Sequence, residues 1–133
     1  MAVMLCETLA MLVLVAASLA ALMHVGFFVL ESVLWTKPAG RKIFGTTAAD
    51  AETIKFMAFN QGFYNLFLAI GTIAGVYFLA TGKAETGKAI VGFGCACMVG
   101  AACILATGGT KLIRGVFMQG TPPLVALIGL FVL

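Results

Sequence analysis

His24 and Glu31 stand seven residues apart in HVGFFVLESVLW, residues 24–35, where every other side chain except Ser32 and Trp35 is wholly apolar. Seven residues make two helical turns, so an imidazole and a carboxylate share one helix face about 10 Å apart along the axis. A second cluster follows in Asn60, Gln61, Tyr64 and Asn65, and Gln119 adds a further amide near the end. A carboxylate, an imidazole, a phenol and amides gathered in one low-dielectric pocket are equipped for acid/base chemistry or for ligand binding. An ionised Glu31 in hydrocarbon needs a partner, and amide N–H groups of Asn60 or Gln61 would supply one. His24, flanked by Tyr64 and Asn65, would carry or relay a proton.

The surroundings of these residues are apolar throughout. From Leu9 to Leu34 the only other polar side chains are Ser18 and Ser32, and a run of that length reads as a membrane-spanning helix. The whole chain of 133 residues is 62% hydrophobic and 10% charged, with mean hydropathy +1.14, too little polar surface for a water-soluble domain. Its expected solvent is the lipid bilayer. The net charge of +3 comes from cationic residues in loops and at helix ends. With no basic face and no base-stacking motif, nucleic acid is not an expected partner. Ser18-Leu19-Ala20 resembles a signal-peptide cleavage site, but the preceding segment has no Lys or Arg, carries Glu7 and is too long, so retention as a first transmembrane helix is expected.

Punctuation along the chain gives an all-α, four-helix transmembrane bundle with short loops, one domain over residues 1–133. Helices are expected at about 4–35, 48–80, 88–106 and 111–133. The first ends at Thr36-Lys37-Pro38-Ala39-Gly40; Thr46 or Thr47 caps the second; Gly108-Gly109 closes the third; and Pro122-Pro123 marks a kink or restart in the fourth. Counting depth from Trp35 and Phe56 sets Glu31 level with Asn60 and Gln61, and His24 nearly level with Tyr64 and Asn65. Lys37, Arg41, Lys42 and Lys55 in the first loop and Lys111 and Arg114 in the third outweigh Lys83 and Lys88 in the second. The positive-inside rule then places loops one and three in the cytoplasm and both termini outside.

Plainer readings stand beside the chemical one. Interhelical polar residues also act as glue, worth about 0.6 kcal/mol each. Trp35 suits an interfacial belt. Cys95 and Cys97 point about 200° apart on a helix, so they read as small packing residues, and no metal site is expected. Gly71-x-x-x-Gly75 and Gly92-x-x-x-Ala96-x-x-x-Gly100 are ridges for close helix approach, within a bundle or between the subunits of a homo-oligomer. No GxSxG, phosphate loop, HExxH or CxxC is present. A haem, if bound, would take His24 as its ligand, or two such histidines across a symmetric dimer.

The segments LESVLWTKPAGRKIFG (Leu30 to Gly45) and NQGFYNLFLAIG (Asn60 to Gly71), preceded by His24, resemble a family of small bacterial integral membrane proteins described as domain of unknown function 1304, and VFMQGTPPLVAL (Val116 to Leu127) is similar to its last segment. The resemblance implies a four-helix protein of the bacterial cytoplasmic membrane and brings no activity. Ser32 and Val33 stand where such proteins usually carry Met or Leu. The residues themselves favour a protein that binds or transports a small lipophilic or cationic molecule, with Glu31 as proton-coupled or cation-pairing carboxylate, His24 as relay, and Asn60, Gln61, Tyr64, Asn65 and Gln119 as lining. The rival is a membrane-embedded isomerase or oxidoreductase, haem-dependent in one version, with His24, Glu31 and Tyr64 as its catalytic candidates. A third reading is an accessory subunit of a membrane complex.

Overall fold

A computed structural model describes residues 1–133, save for the side chain of Ala2. It is 88% helix, with no strand among the described residues. Helix α1 (Ala2–Phe28) runs on into a π-helical turn (Val29–Val33). Two short helices follow, α2 (Pro38–Phe44) and α3 (Ala48–Thr53), and then the long helices α4 (Lys55–Ala80), α5 (Ala84–Ala106) and α6 (Ile113–Val132), the last entered through a 3-10 turn at Thr110–Leu112. Four segments are long and apolar enough to cross a membrane: Val3–Val33, Lys55–Ala80, Ala84–Ala106 and Thr110–Val132, with mean hydropathy between 1.6 and 2.3. At 1.5 Å per residue each exceeds the roughly 30 Å of a hydrocarbon core.

The long helices pack in a ring, α1 on α4, α4 on α5, α5 on α6 and α6 back on α1. The short turns after α4 and α5, and the longer connection through α2 and α3 after α1, leave each long helix antiparallel to the last, as in an up-down-up-down bundle. Small side chains fill its interior, where Ala16, Ala17, Val91, Cys95 and Ala126 form one cluster with Leu79 packed against it. Large ones such as Leu22, Phe67, Phe93 and Phe117 stay exposed on the outside. Lipid tails are as apolar as leucine, so burying leucine between helices gains little there. Close backbone approach through small residues does the work instead.

Glycines set how close that approach is. A Cβ on Gly87 would stand 2.7 Å from the backbone N of Leu79, one on Gly75 would stand 2.9 Å from that of Val91, and one on Gly129 would run into Val13. Backbone cannot step aside as a flexible side chain can. Gly87→Ala is expected to destabilise the bundle by about 1–3 kcal/mol, read as earlier unfolding in mixed detergent micelles. Stability equal to the parent would show that α4 and α5 are not so tightly apposed.

The end of the bundle that carries α2 and α3 is more structured than loop composition implies. Pro38 starts α2 with its fixed φ, Gly45 ends it at φ 65°, and Gly40 presses on the Leu34 carbonyl. Thr47 caps α3, its Oγ1 accepting from the Asp50 N–H at 3.1 Å. The single second helix expected from residue 48 is interrupted at Ile54 (φ −104°, ψ 12°), and α4 starts afresh at Lys55. Trp35 does more than sit at an interface: its indole N–H donates to the Ala51 carbonyl at 2.9 Å and its ring lies 4.9 Å from that of Phe44. In α6, Pro122 and Pro123 lie inside one continuous helix rather than at a restart.

Candidate functional site

The π turn is what aims Glu31. Leu34 N–H donates to Val29 O at 2.9 Å, a bond reaching back five residues, which widens the turn and rotates Glu31 and Ser32 relative to the helix before them. Ser32 Oγ then donates to the Phe59 carbonyl at 2.9 Å, tying α1 to α4. Gly62 makes room for this contact. A Cβ there would run into Ser32 Oγ and lie 3.2 Å from Glu31 Cβ. So held, Glu31 Oε2 accepts a hydrogen bond of 2.7 Å from Asn65 Nδ2.

The amide that meets Glu31 is therefore Asn65, and neither Asn60 nor Gln61. Helix α4 turns its Ala58, Gly62, Asn65, Ala69 and Thr72 side inward, leaving Asn60 and Gln61 exposed on the flank. Depth matching of Trp35 with Phe56 misplaced α4 by about one turn, because the Trp35 bond to α3 and the break at Ile54 set the true offset. Beside the pair opens a cleft of about 230 Å³, lined by Glu31, Ser32, Thr36, Lys55, Phe56 and Phe59. The Lys55 ammonium on its rim is engaged by Glu52 at 3.0 Å.

His24 lies two turns deeper and is 1% exposed. Its Nδ1 is 2.9 Å from the Ala20 carbonyl, which can only accept, so Nδ1 donates, and in the neutral ring Nε2 is left as an acceptor. Phe27 meets the ring edge-on, centroids 5.3 Å apart. Nε2 is enclosed and has no hydrogen-bond partner in the protein. A porphyrin iron reaches that nitrogen only if the helices part, so the packing does not present His24 as a haem ligand.

Tyr64 does not flank His24. One residue from Asn65 is about 100° around the helix, and Tyr64, 59% exposed, instead lines a second groove of about 370 Å³ between α4 and α5 with Phe67, Leu68, Thr72 and Phe93. Gln119 is half-buried on α6. Cys95 is buried in the core cluster as a packing residue. Of the two small-residue ridges, Gly75 packs on α5, whereas a Cβ on Gly71 or Gly100 would meet nothing within 4 Å and one on Gly92 only Leu130 at 3.9 Å. Reading by residue type passed over Gly62 and Thr72, and marked Ser32 only as a departure from the family's usual residue. Thr72 carried a usable signal, since it stands seven residues beyond Asn65 and so on the same face.

The bundle and this pair define a class: a helical membrane protein with four helices able to span, and a carboxylate–amide pair set in a cleft at one end. The family described as "Protein of unknown function (DUF1304)" matches residues 18–131, and the chain belongs to it. No curated protein and no solved structure matches the chain.

Proposed function

We propose that the protein binds a small lipophilic cation at Glu31 and carries it across the bacterial cytoplasmic membrane in exchange for a proton. The observation that carries this reading is the Glu31–Asn65 pair opening onto an aromatic-walled cleft. A carboxylate in low dielectric attracts a counter-cation, and one amide N–H orients it without neutralising it. Phe56 and Phe59, 79% and 46% exposed, wall the cleft with aromatic side chains, surroundings that favour a cation. Lys55 pairs with Glu52 and makes no ion pair with Glu31. The excess of cations in the first and third loops supports a cytoplasmic position for this cleft.

Proton and cation compete for one carboxylate, which fixes the sign of the pH dependence. Affinity falls as pH drops through the Glu31 titration, because the protonated acid offers no charge. The test is binding of tetraphenylphosphonium to the protein in lipid nanodiscs. Glu31→Gln is expected to weaken binding at least tenfold and to flatten its pH dependence. Unchanged affinity in Glu31→Gln, with a folded bundle, overturns the reading.

A further inference from the structure

Helix α2 is fixed on the end of the bundle through its backbone. Gly40 is buried there against the Leu34 carbonyl, and the helix closes on Gly45 in the left-handed region. The N–H groups of Gly45 and Thr46 both donate to the Arg41 carbonyl, the second at 3.1 Å. A closing turn of this kind sets the side chains at the Arg41 and Thr46 positions side by side, commonly as an apolar contact. Here both are polar. Each is partly buried and holds an enclosed atom with no hydrogen-bond partner in the protein, Arg41 Nε and Thr46 Oγ1.

Buried polar atoms are as a rule satisfied by protein groups or ordered water, and a charged group is the most costly to leave unmet. Nε can only donate, whereas the threonine hydroxyl both donates and accepts. A bond between the two would satisfy Nε and still leave the hydroxyl proton without an acceptor and the guanidinium without a counter-charge. The acids nearest in sequence are engaged elsewhere: Asp50 accepts from Thr47 Oγ1 at 2.6 Å, and Glu52 pairs with Lys55 at 3.0 Å. Lys37 caps α2 and Lys42 lies within it, so the local charge is positive. An anion rich in acceptor oxygens meets every one of these needs, and phosphate matches the planar fork of arginine.

Beside Arg41 and Lys42 on the same short helix, Ile43 and Phe44 are 62% and 38% exposed. Apolar side chains next to cations at the end of a membrane-spanning bundle fit a molecule that carries both phosphate and hydrocarbon, which free phosphate does not. We propose that Arg41 and Thr46 hold the phosphate of one anionic phospholipid, with its acyl chains against Ile43 and Phe44. Both polar residues are partly exposed, and the flexible arginine stem lets the fork turn to the headgroup. The site lies on α2 and the turn after it, and does not depend on cation binding at Glu31.

The experiment is native mass spectrometry of the full chain released from nanodiscs of phosphatidylglycerol and phosphatidylcholine in equal parts. Expected is one phosphatidylglycerol retained per chain in preference to phosphatidylcholine. Arg41→Gln should lower that retention about tenfold, the worth of one charge-assisted hydrogen bond. Arg41→Lys, which keeps the charge and loses the fork, should recover only part of it. Lys83→Gln, in the turn at the other end of α4, should retain the lipid as the parent does. Equal retention in Arg41→Gln and the parent overturns the proposal, and so does an equal loss in Lys83→Gln, which would make retention a matter of net charge. Displacement of the lipid from the parent by millimolar inorganic phosphate also overturns it, since the corner then takes free phosphate. If Arg41→Gln does not fold, Thr46→Val takes its place, and undiminished retention in that folded variant counts against the site.

Discussion

Gly62→Leu is expected to unseat the candidate site and part α4 from the π turn in one substitution. The position leaves no room even for a Cβ, which would meet Ser32 Oγ and come within 3.1 Å of the Ser32 backbone N. A leucine must push α1 away from α4, breaking the Ser32 bond to Phe59 and separating Glu31 from Asn65. Overpacking of this kind typically costs about 1–3 kcal/mol, and the lost polar contacts add to it, so we expect about 3 kcal/mol or more. Unfolding in mixed micelles measures the loss, and tetraphenylphosphonium binding should disappear with it. A leucine variant as stable as the parent would mean that the helices are not held together at this point. Gly71→Leu is the matched control, since a Cβ there meets nothing within 4 Å.

The second large effect concerns Asn65. Replacing it with leucine removes the only side-chain hydrogen bond that Glu31 makes among the described residues and leaves a half-buried carboxyl facing hydrocarbon. Leaving one partner of a polar pair unsatisfied costs about 1–3 kcal/mol, more than the pair contributes when intact. The loss should therefore be largely repaired by a second change, Glu31→Leu, which removes the stranded group. A double-mutant cycle measured by micelle unfolding tests this directly. Simple additivity of the two changes would show that Glu31 does not depend on Asn65. Asn60→Leu and Gln61→Leu, both exposed, should leave stability near that of the parent.

How the pair forms shows where sequence reasoning reaches its limit. Glu31 and the amides of α4 stand out by type, because polar groups in an apolar run need partners. Which amide answers depended on three features that no local pattern encodes. The first is the π turn at Val29–Val33, stabilised by a long-range contact of Ser32 with Phe59. The second is the offset of α4, set by the Trp35 bond to Ala51 and the break at Ile54. The third is the rotation of α4, which turns Asn65 inward and Tyr64 outward. One residue of rotation exchanges a core position for an exposed one, so assignments made from depth alone put Tyr64 and Gln61 in the lining where the fold does not.

By itself the sequence determined the membrane setting, the number of long helices, the order in which they alternate and the membership of the family, because length, hydropathy and turn residues act locally and are additive along the chain. It also marked Cys95 as packing, since two residues on a helix cannot converge on one ion. Only the tertiary structure decided that Glu31 meets Asn65, that the His24 ring is enclosed with its Nε2 unpartnered, and that Tyr64 lines a separate groove. Those outcomes depend on the rotation and sliding of one helix against another. Contacts between residues far apart in the chain settle both, and no periodicity within a single helix contains them.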